Sequence, residues 1–257
     1  MASLREQFIE RLIREFFLRK GSGLVLKGGG AIQALFGAQR LTKDVDLDFT
    51  NPKRTAESLH NTVNRAITGA ARGLPVRNLK VSTPRKGERS PRWKINFQDQ
   101  DGQPFHVEVE VSRDPKRAAP GTVTQKPFIP ESLKGIARFW VDIYDEPTLI
   151  ATKLAALLGR EVPRDVYDLD LLIAGSRPPS TEQVNWAIER ANVPRRDVAK
   201  ILQDRLDALT WNRFQAELQD ALPDHIANRI DAAEWRSMKR RVGNYAKERF
   251  SDDGAQT

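Results

Sequence analysis

The chain has 257 residues, 39% of them hydrophobic, and 42 Lys and Arg against 34 Asp and Glu give it a formal charge of +8 and a pI near 9.8. Cysteine is absent and only three histidines occur, which excludes disulfides and thiolate chemistry and makes any resident metal a hard, oxygen-held cation, Mg2+ or Mn2+ rather than zinc. No apolar run reaches the roughly eighteen residues of a membrane span, and Met1-Ala2-Ser3-Leu4-Arg5-Glu6 lacks the layout of a secretory signal, so a cytoplasmic protein without membrane partners is expected.

Ser3-Leu4-Arg5-Glu6 has the spacing of a capping box, and Leu4, Phe8, Leu12, Ile13, Phe16 and Phe17 recur at helical intervals up to Lys20-Gly21-Ser22-Gly23. Leu24-Val25-Leu26 reads as a short buried strand, and Ala31 to Gln39 as a helix whose amino end is Gly28-Gly29-Gly30. Residues 44–49 return as a strand and Asn51-Pro52 breaks it; 55–71 then form a helix with Leu59, Val63 and Ile67 on one face. Residues 73–91 receive no assignment. Arg92 to Phe97 and Phe105 to Ser112 alternate around a turn at Asp99 to Gly102, a hairpin. In its second strand Phe105, Val107, Val109 and Val111 share one face, so His106, Glu108, Glu110 and Ser112 share the other.

Residues 113–134, with four prolines, read as loop, and 136–143 as one more strand. From Glu146 the pattern is helical, with Pro147 at a first-turn position and Leu149, Ile150, Leu154, Leu157 and Leu158 at three- and four-residue steps. Further helices are expected over 164–174, 181–192, 195–209, 211–221 and 231–249, and Ser251 to Thr257 reads as a tail. The predicted fold class is α+β: a mixed β-sheet with flanking helices over 1–144, followed by an all-helical half over 145–257.

Alternation puts Asp44, Asp46 and Asp48 on one face of their strand, with Cα atoms about 6.5 to 7 Å apart. Two such carboxylates can converge on metal ions roughly 3.5 to 4 Å apart, the spacing of two-metal nucleotidyl transfer. A third acid from a neighbouring strand completes such a cage, and Glu110 is preferred to Glu108. The plain alternative is a solvated acidic face, and the glycines alone are compatible with an ordinary turn. Their co-occurrence favours chemistry, because glycines that open backbone N–H groups to phosphate lie one helix upstream of acids suited to the phosphate's metal. Lys153, on a helix that is leucine-rich opposite it, has the right character to meet a phosphate as a point charge, or to be a surface lysine. Asp165 follows Pro163 at a helix start, where the backbone dipole favours an aspartate in any case.

Leu26-Lys27-Gly28-Gly29-Gly30-Ala31-Ile32, followed by Arg40-Leu41-Thr42-Lys43-Asp44-Val45-Asp46-Leu47, resembles the "KGG-T/G-A-L … R-x-S/T-x-D-x-D-L" motif of the AbiEii/AbiGii toxin family, nucleotidyltransferases of the polymerase-β superfamily that include the MenT toxins. Glu146, Lys153, Arg160, Arg164-Asp165, Tyr167 and Asp168-Leu169 resemble that family's later motifs. The resemblance covers about residues 4 to 175. It implies Gly29 and Gly30 as nucleotide-phosphate contacts, Asp44 and Asp46 as metal ligands, Lys153 and Asp165 as further active-site residues, and Glu110 as the closest match to the third acid. Gly30 stands where several members have a serine, so a serine-dependent contact or modification is not expected here.

The implied activity is Mg2+-dependent transfer of NMP from an NTP to an acceptor, with pyrophosphate released; the implied acceptor is the tRNA 3′ end, and the setting that of a toxin with a cognate antitoxin. The basic balance suits a polyanionic partner, nucleic acid first and an anionic membrane second. Lys80, Arg85, Lys86, Arg89, Arg92, Trp93 and Lys94 suit a grip on an RNA backbone, and Arg195, Arg196, Lys239, Arg240 and Arg241 form comparable clusters. A protein or small-molecule acceptor, or a catalytically silent nucleic-acid-binding protein, stand as alternatives.

Overall fold

The period-two segments assemble into one sheet and the period-3.6 segments into helices, in two compact units: Met1–Ala118 with Val123–Ile143, and Ala119–Thr122 with Tyr144–Thr257. The computed structural model describes residues 3–18, 22–37, 39–50, 55–85, 88–114, 118–133 and 135–251. Lys20, Gly21, Asn51, Pro52, Lys86 and residues 252–257, which the sequence marked as stops, bases or tail, lie outside the described residues.

The first unit runs α1 (Leu4–Phe17), β1 (Leu24–Leu26), α2 (Gly28–Phe36), β2 (Asp44–Phe49), α3 (Ala56–Ala71), β3 (Arg77–Ser82), β4 (Arg92–Gln98), β5 (Pro104–Ser112), β6 (Val123–Phe128) and β7 (Phe139–Tyr144). The strands form a mixed seven-stranded sheet in the order β3-β4-β5-β2-β1-β7-β6. Strand β2 pairs antiparallel with β1 and parallel with β5, so the glycine turn after β1 and the hairpin strand flank the acidic strand.

One face of the sheet carries Trp93, Ile95, Phe97, Val107, Val109, Val45 and Leu47, all buried, under α1 and α3. Phe8 of α1 meets Phe97 with ring centroids 4.8 Å apart, and His60 of α3 meets Trp93 at 5.1 Å. Each such side chain removed from water contributes roughly 1.5–3 kcal/mol. The capping box of α1 forms as predicted: the Glu6 N–H donates to the Ser3 hydroxyl at 3.3 Å, and the Ser3 N–H donates to the Glu6 carboxylate at 2.5 Å.

Glu10 is a buried exception on the apolar side of α1. Its carboxylate accepts the N–H groups of Glu131 and Ser132, each at 3.0 Å, the Ser132 hydroxyl and the Gln33 amide at 3.0 Å. Burial pushes the Glu10 carboxyl above its ordinary value, and these four hydrogen bonds pull against that rise without cancelling it.

Two expectations need correction and one unassigned stretch is filled. Residues 113–134 contain a strand, β6, as well as loop. It is the sheet's edge, where Pro127 is tolerated because one side of the ladder is open, and its half-exposed residues show no apolar alternation. The unassigned stretch 73–91 contains β3, also an edge and exposed throughout. Helix α2 starts at Gly28 and stops at Phe36, not Gln39, because Gly37, at φ +75°, takes the terminating position and donates its N–H to Gln33 at 2.9 Å.

The second unit contains α4 (Glu146–Gly159), α5 (Pro163–Ile173), α6 (Thr181–Ala191), α7 (Val198–Ala208), α8 (Trp211–Glu217), α9 (Asp224–Ala227) and α10 (Ala232–Ser251). The expected helices at 195–209 and 211–221 each divide into an α-helix and a single 3-10 turn. Asp145, Ser180 and Thr210 cap α4, α6 and α8 with side-chain oxygens. Gln183 bonds both the Pro120 carbonyl and the Thr148 hydroxyl at 2.9 Å, which fixes residues 119–122 to α4 and α6.

Candidate active site

The parallel register of β2 and β5 sets Asp44 opposite Glu108, Asp46 opposite Glu110 and Asp48 opposite Ser112. Partners in register point to the same side, so five carboxylates share the face opposite the apolar core. The Asp44 carboxylate also accepts the Glu108 N–H at 3.3 Å.

The glycine turn is built against these acids. The Lys27 N–H donates to the Asp46 carbonyl at 2.8 Å, which presses the turn onto β2. Gly28 sits at φ +55°, and a Cβ there would lie 2.5 Å from Asp46 Oδ2, so a glycine is required on both conformational and steric grounds. A Cβ on Gly29 would lie 2.5 Å from the Thr42 hydroxyl and 3.1 Å from the Arg40 guanidinium; on Gly30 it would strike Leu26 at 2.8 Å. The three glycines thus form the first turn of α2, ahead of its first intrahelical bond from Ala31 N–H to the Lys27 carbonyl, with N–H groups of the kind that receive anions.

Two cations lie among the acids. Lys27 Nζ is 2.7 Å from Asp48, and Arg92 of β4 is 2.7 Å from Glu110 and 3.6 Å from Glu108. Among the described residues no three His, Asp or Glu side chains converge tightly enough to cage a metal ion; Glu110 and Asp48 face Arg92 and Lys27. The donor chemistry nevertheless fits one class of ion. The carboxylate oxygens of Asp44, Asp46 and Glu110 suit Mg2+ or Mn2+, and the His106 imidazole on the same face is hydrogen-bonded to Asn96.

Lys153 and Asp165 occur in the helical unit, within a charge quartet of which Lys153, Asp165 and Asp168 are buried and Arg160 is exposed. The Lys153 ammonium is 3.2 Å from Asp165 and 2.5 Å from Asp168, and Arg160 reaches Asp165 through Nε at 2.7 Å and a terminal nitrogen at 3.0 Å. Burial alone would raise the Asp165 carboxyl, but Lys153 and Arg160 outweigh it and hold the group below its ordinary value, with Asp168 opposing them. Lys153 is therefore a buried, doubly paired lysine, not the surface lysine that the helical pattern also allowed.

The family model described as Nucleotidyl transferase AbiEii toxin, Type IV TA system, matches residues 11–252. The chain belongs to the AbiEii family. It is a nucleotidyltransferase toxin of a type IV toxin–antitoxin system and takes an NTP as substrate. Two solved structures have a similar fold: JHP933 from Helicobacter pylori, 19% identical with a TM-score of 0.53 over 95% of this chain and 92% of that one, and MenT4, a nucleotidyltransferase toxin of Mycobacterium tuberculosis H37Rv, 19% identical with a TM-score of 0.57 over 98% and 88%. No curated protein matches the chain. No helix among the described residues is long and apolar enough to cross a membrane.

The AbiEii match continues to residue 252, well past residue 175, where motifs cease to be legible. Sequence reasoning gave no active-site role to four residues that complete the geometry. Arg92 had a signal, since it alternates in the hairpin with the strand that pairs Glu108 and Glu110. Asp168 and Arg160 had only the motif, and Lys27 lay inside it unassigned.

Proposed function

We propose that this AbiEii protein uses the face of Asp44 and Asp46 to transfer NMP from an NTP to the 3′ end of a tRNA, with Mg2+ or Mn2+ as the cofactor. The observation that carries the reading is the β2–β5 register, which brings Asp44, Asp46, Glu108 and Glu110 onto one side beside a glycine turn in which a Cβ would press on the Asp46, Thr42 and Leu26 side chains.

Asp44 and Asp46 would hold the metal, with Glu110 as the third carboxylate, because it lies level with Asp46. A bound divalent ion neutralises triphosphate charge and lowers the pKa of the attacking hydroxyl. The first-turn N–H groups of Gly29 and Gly30 receive phosphate oxygens. The acceptor oxygen forms a bond to the α-phosphorus, the bond to the β-phosphate's bridging oxygen breaks, and pyrophosphate leaves with that electron pair; the hydroxyl proton passes to a carboxylate of the face. Lys153 and Asp165 belong to the machinery by the motif. Asp165 acts as a positioning residue, since with Asp168 it fixes the Lys153 ammonium.

Purified protein incubated with total tRNA, Mg2+ and each NTP in turn should transfer label from α-labelled but not γ-labelled nucleotide to tRNA. Label appearing only in protein or in a small molecule would replace the tRNA acceptor, and label arriving from the γ-position would refute nucleotidyl transfer.

A further inference from the structure

Strand β3 contains an irregularity that re-aims a charge. Arg77 pairs with Gln98 and Lys80 with Asn96, so β3 spends three steps where β4 spends two. The extra residue makes a β-bulge. At its centre Asn78 has φ +52°, a left-handed conformation that asparagine tolerates better than most residues, and its amide donates to the Gln98 side chain at 2.6 Å. In a regular strand Arg77 and Lys80, three residues apart, would point to opposite faces. The bulge puts both on one face, with Ser82 opposite Lys94.

That face is the acidic one. Lys94 pairs with Glu108, which pairs with Asp44, so at about 4.8 Å per strand Lys94 lies roughly 10 Å and β3 roughly 15 Å from the acidic strand. Arg77, Lys80 and Lys94 are exposed, and among the described residues none of the three makes an ion pair. Asn96 and His106, hydrogen-bonded at 3.0 Å, form a polar floor beside them.

We propose that Arg77, Lys80 and Lys94 form a track for the phosphate backbone of the RNA acceptor, laid across β3 and β4 toward the Asp44–Asp46 pair, with the Asn78 bulge aligning it. The assignment rests on the RNA-acceptor reading above. Phosphate contacts of this kind position a strand without reading bases.

The test is filter binding of full-length protein to labelled total tRNA over a range of KCl concentrations. R77E/K80E/K94E should bind at least tenfold more weakly, and its log–log salt slope should be shallower by about 2, given 0.7 to 0.9 per phosphate contact. The matched control R190E/K200E/R236E, on α6, α7 and α10, should change affinity less than threefold. Mg2+-NTP binding by both variants should match wild type. N78V, which keeps every charge but cannot hold the bulge, should weaken tRNA binding several-fold, and N78G should restore it.

Wild-type labelling of tRNA with the R77E/K80E/K94E variant binding as tightly as the control overturns the track and leaves the tRNA reading standing. Wild-type protein that binds no tRNA at any salt overturns both. Loss of labelling of a protein acceptor in that variant, with tRNA binding intact, assigns the face to a protein and likewise overturns the proposal.

Discussion

The sheet face and the helical quartet solve the same electrostatic problem in opposite ways. On the sheet, strand alternation sets Asp44, Asp46, Asp48, Glu108 and Glu110 on one side, where Glu108 and Glu110 are half-buried and face a guanidinium that is itself 56% exposed. In the quartet, the buried Lys153 and the 47% exposed Arg160 meet two carboxylates that are fully buried. Like charges crowded near solvent can accept another cation; a balanced cluster around buried carboxylates is complete without one. The difference separates carboxylates open to a metal from carboxylates that hold the Lys153 ammonium in one place.

Substitutions on the two sides should therefore fail differently. Asp46→Asn should lower nucleotidyl transfer about 10³-fold or more, the several kcal/mol that a metal's charge stabilisation supplies, while leaving the urea midpoint near wild type. Lys153→Met should do the reverse in emphasis. It leaves two fully buried carboxylates one cation short and should lower unfolding stability by about 3 to 5 kcal/mol in urea titrations, with activity falling as a consequence. If both variants lost activity and kept full stability, the quartet would be as reactive as the sheet face and the contrast would be void.

Glu110→Gln should reduce transfer about ten- to a hundredfold and Glu108→Gln by clearly less; the opposite ranking would exchange their roles. The two buried carboxyls then offer a contrast in pH. Asp165 titrates below its ordinary 3.8, so the stability it contributes is whole above that value and is lost as pH falls below it. Glu10 titrates above its ordinary 4.5, so its ionisation costs stability as pH rises through the raised value, and that cost is absent in acid. Asp165→Asn should flatten the acid limb of the stability–pH curve and Glu10→Gln the limb above 4.5. The smallest effect belongs to Arg92→Met, which should shift stability by no more than about 1 kcal/mol, since an exposed ion pair is well screened.

The acidic side of the site was legible because its cause is local. Period-two alternation fixes which side Asp44, Asp46 and Glu110 occupy, and the glycines signal a close approach whatever lies opposite. What opposes them was not legible. That Gly28 faces Asp46 depends on how β1 meets β2, and that Arg92 faces Glu110 depends on hairpin register. The two edge strands escaped because an exposed edge need not alternate apolar residues. The quartet was legible only as a motif, since i-to-i+12 pairing between α4 and α5 leaves no periodic trace.

The most direct test of the account is the transfer of α-labelled nucleotide to tRNA by wild-type protein and by Asp44→Asn and Asp46→Asn, each checked for native stability, with Mn2+ binding measured alongside. The account predicts that each variant loses both transfer and Mn2+ affinity while remaining folded. A folded Asp46→Asn protein that labels tRNA and binds Mn2+ as the wild type does would contradict it.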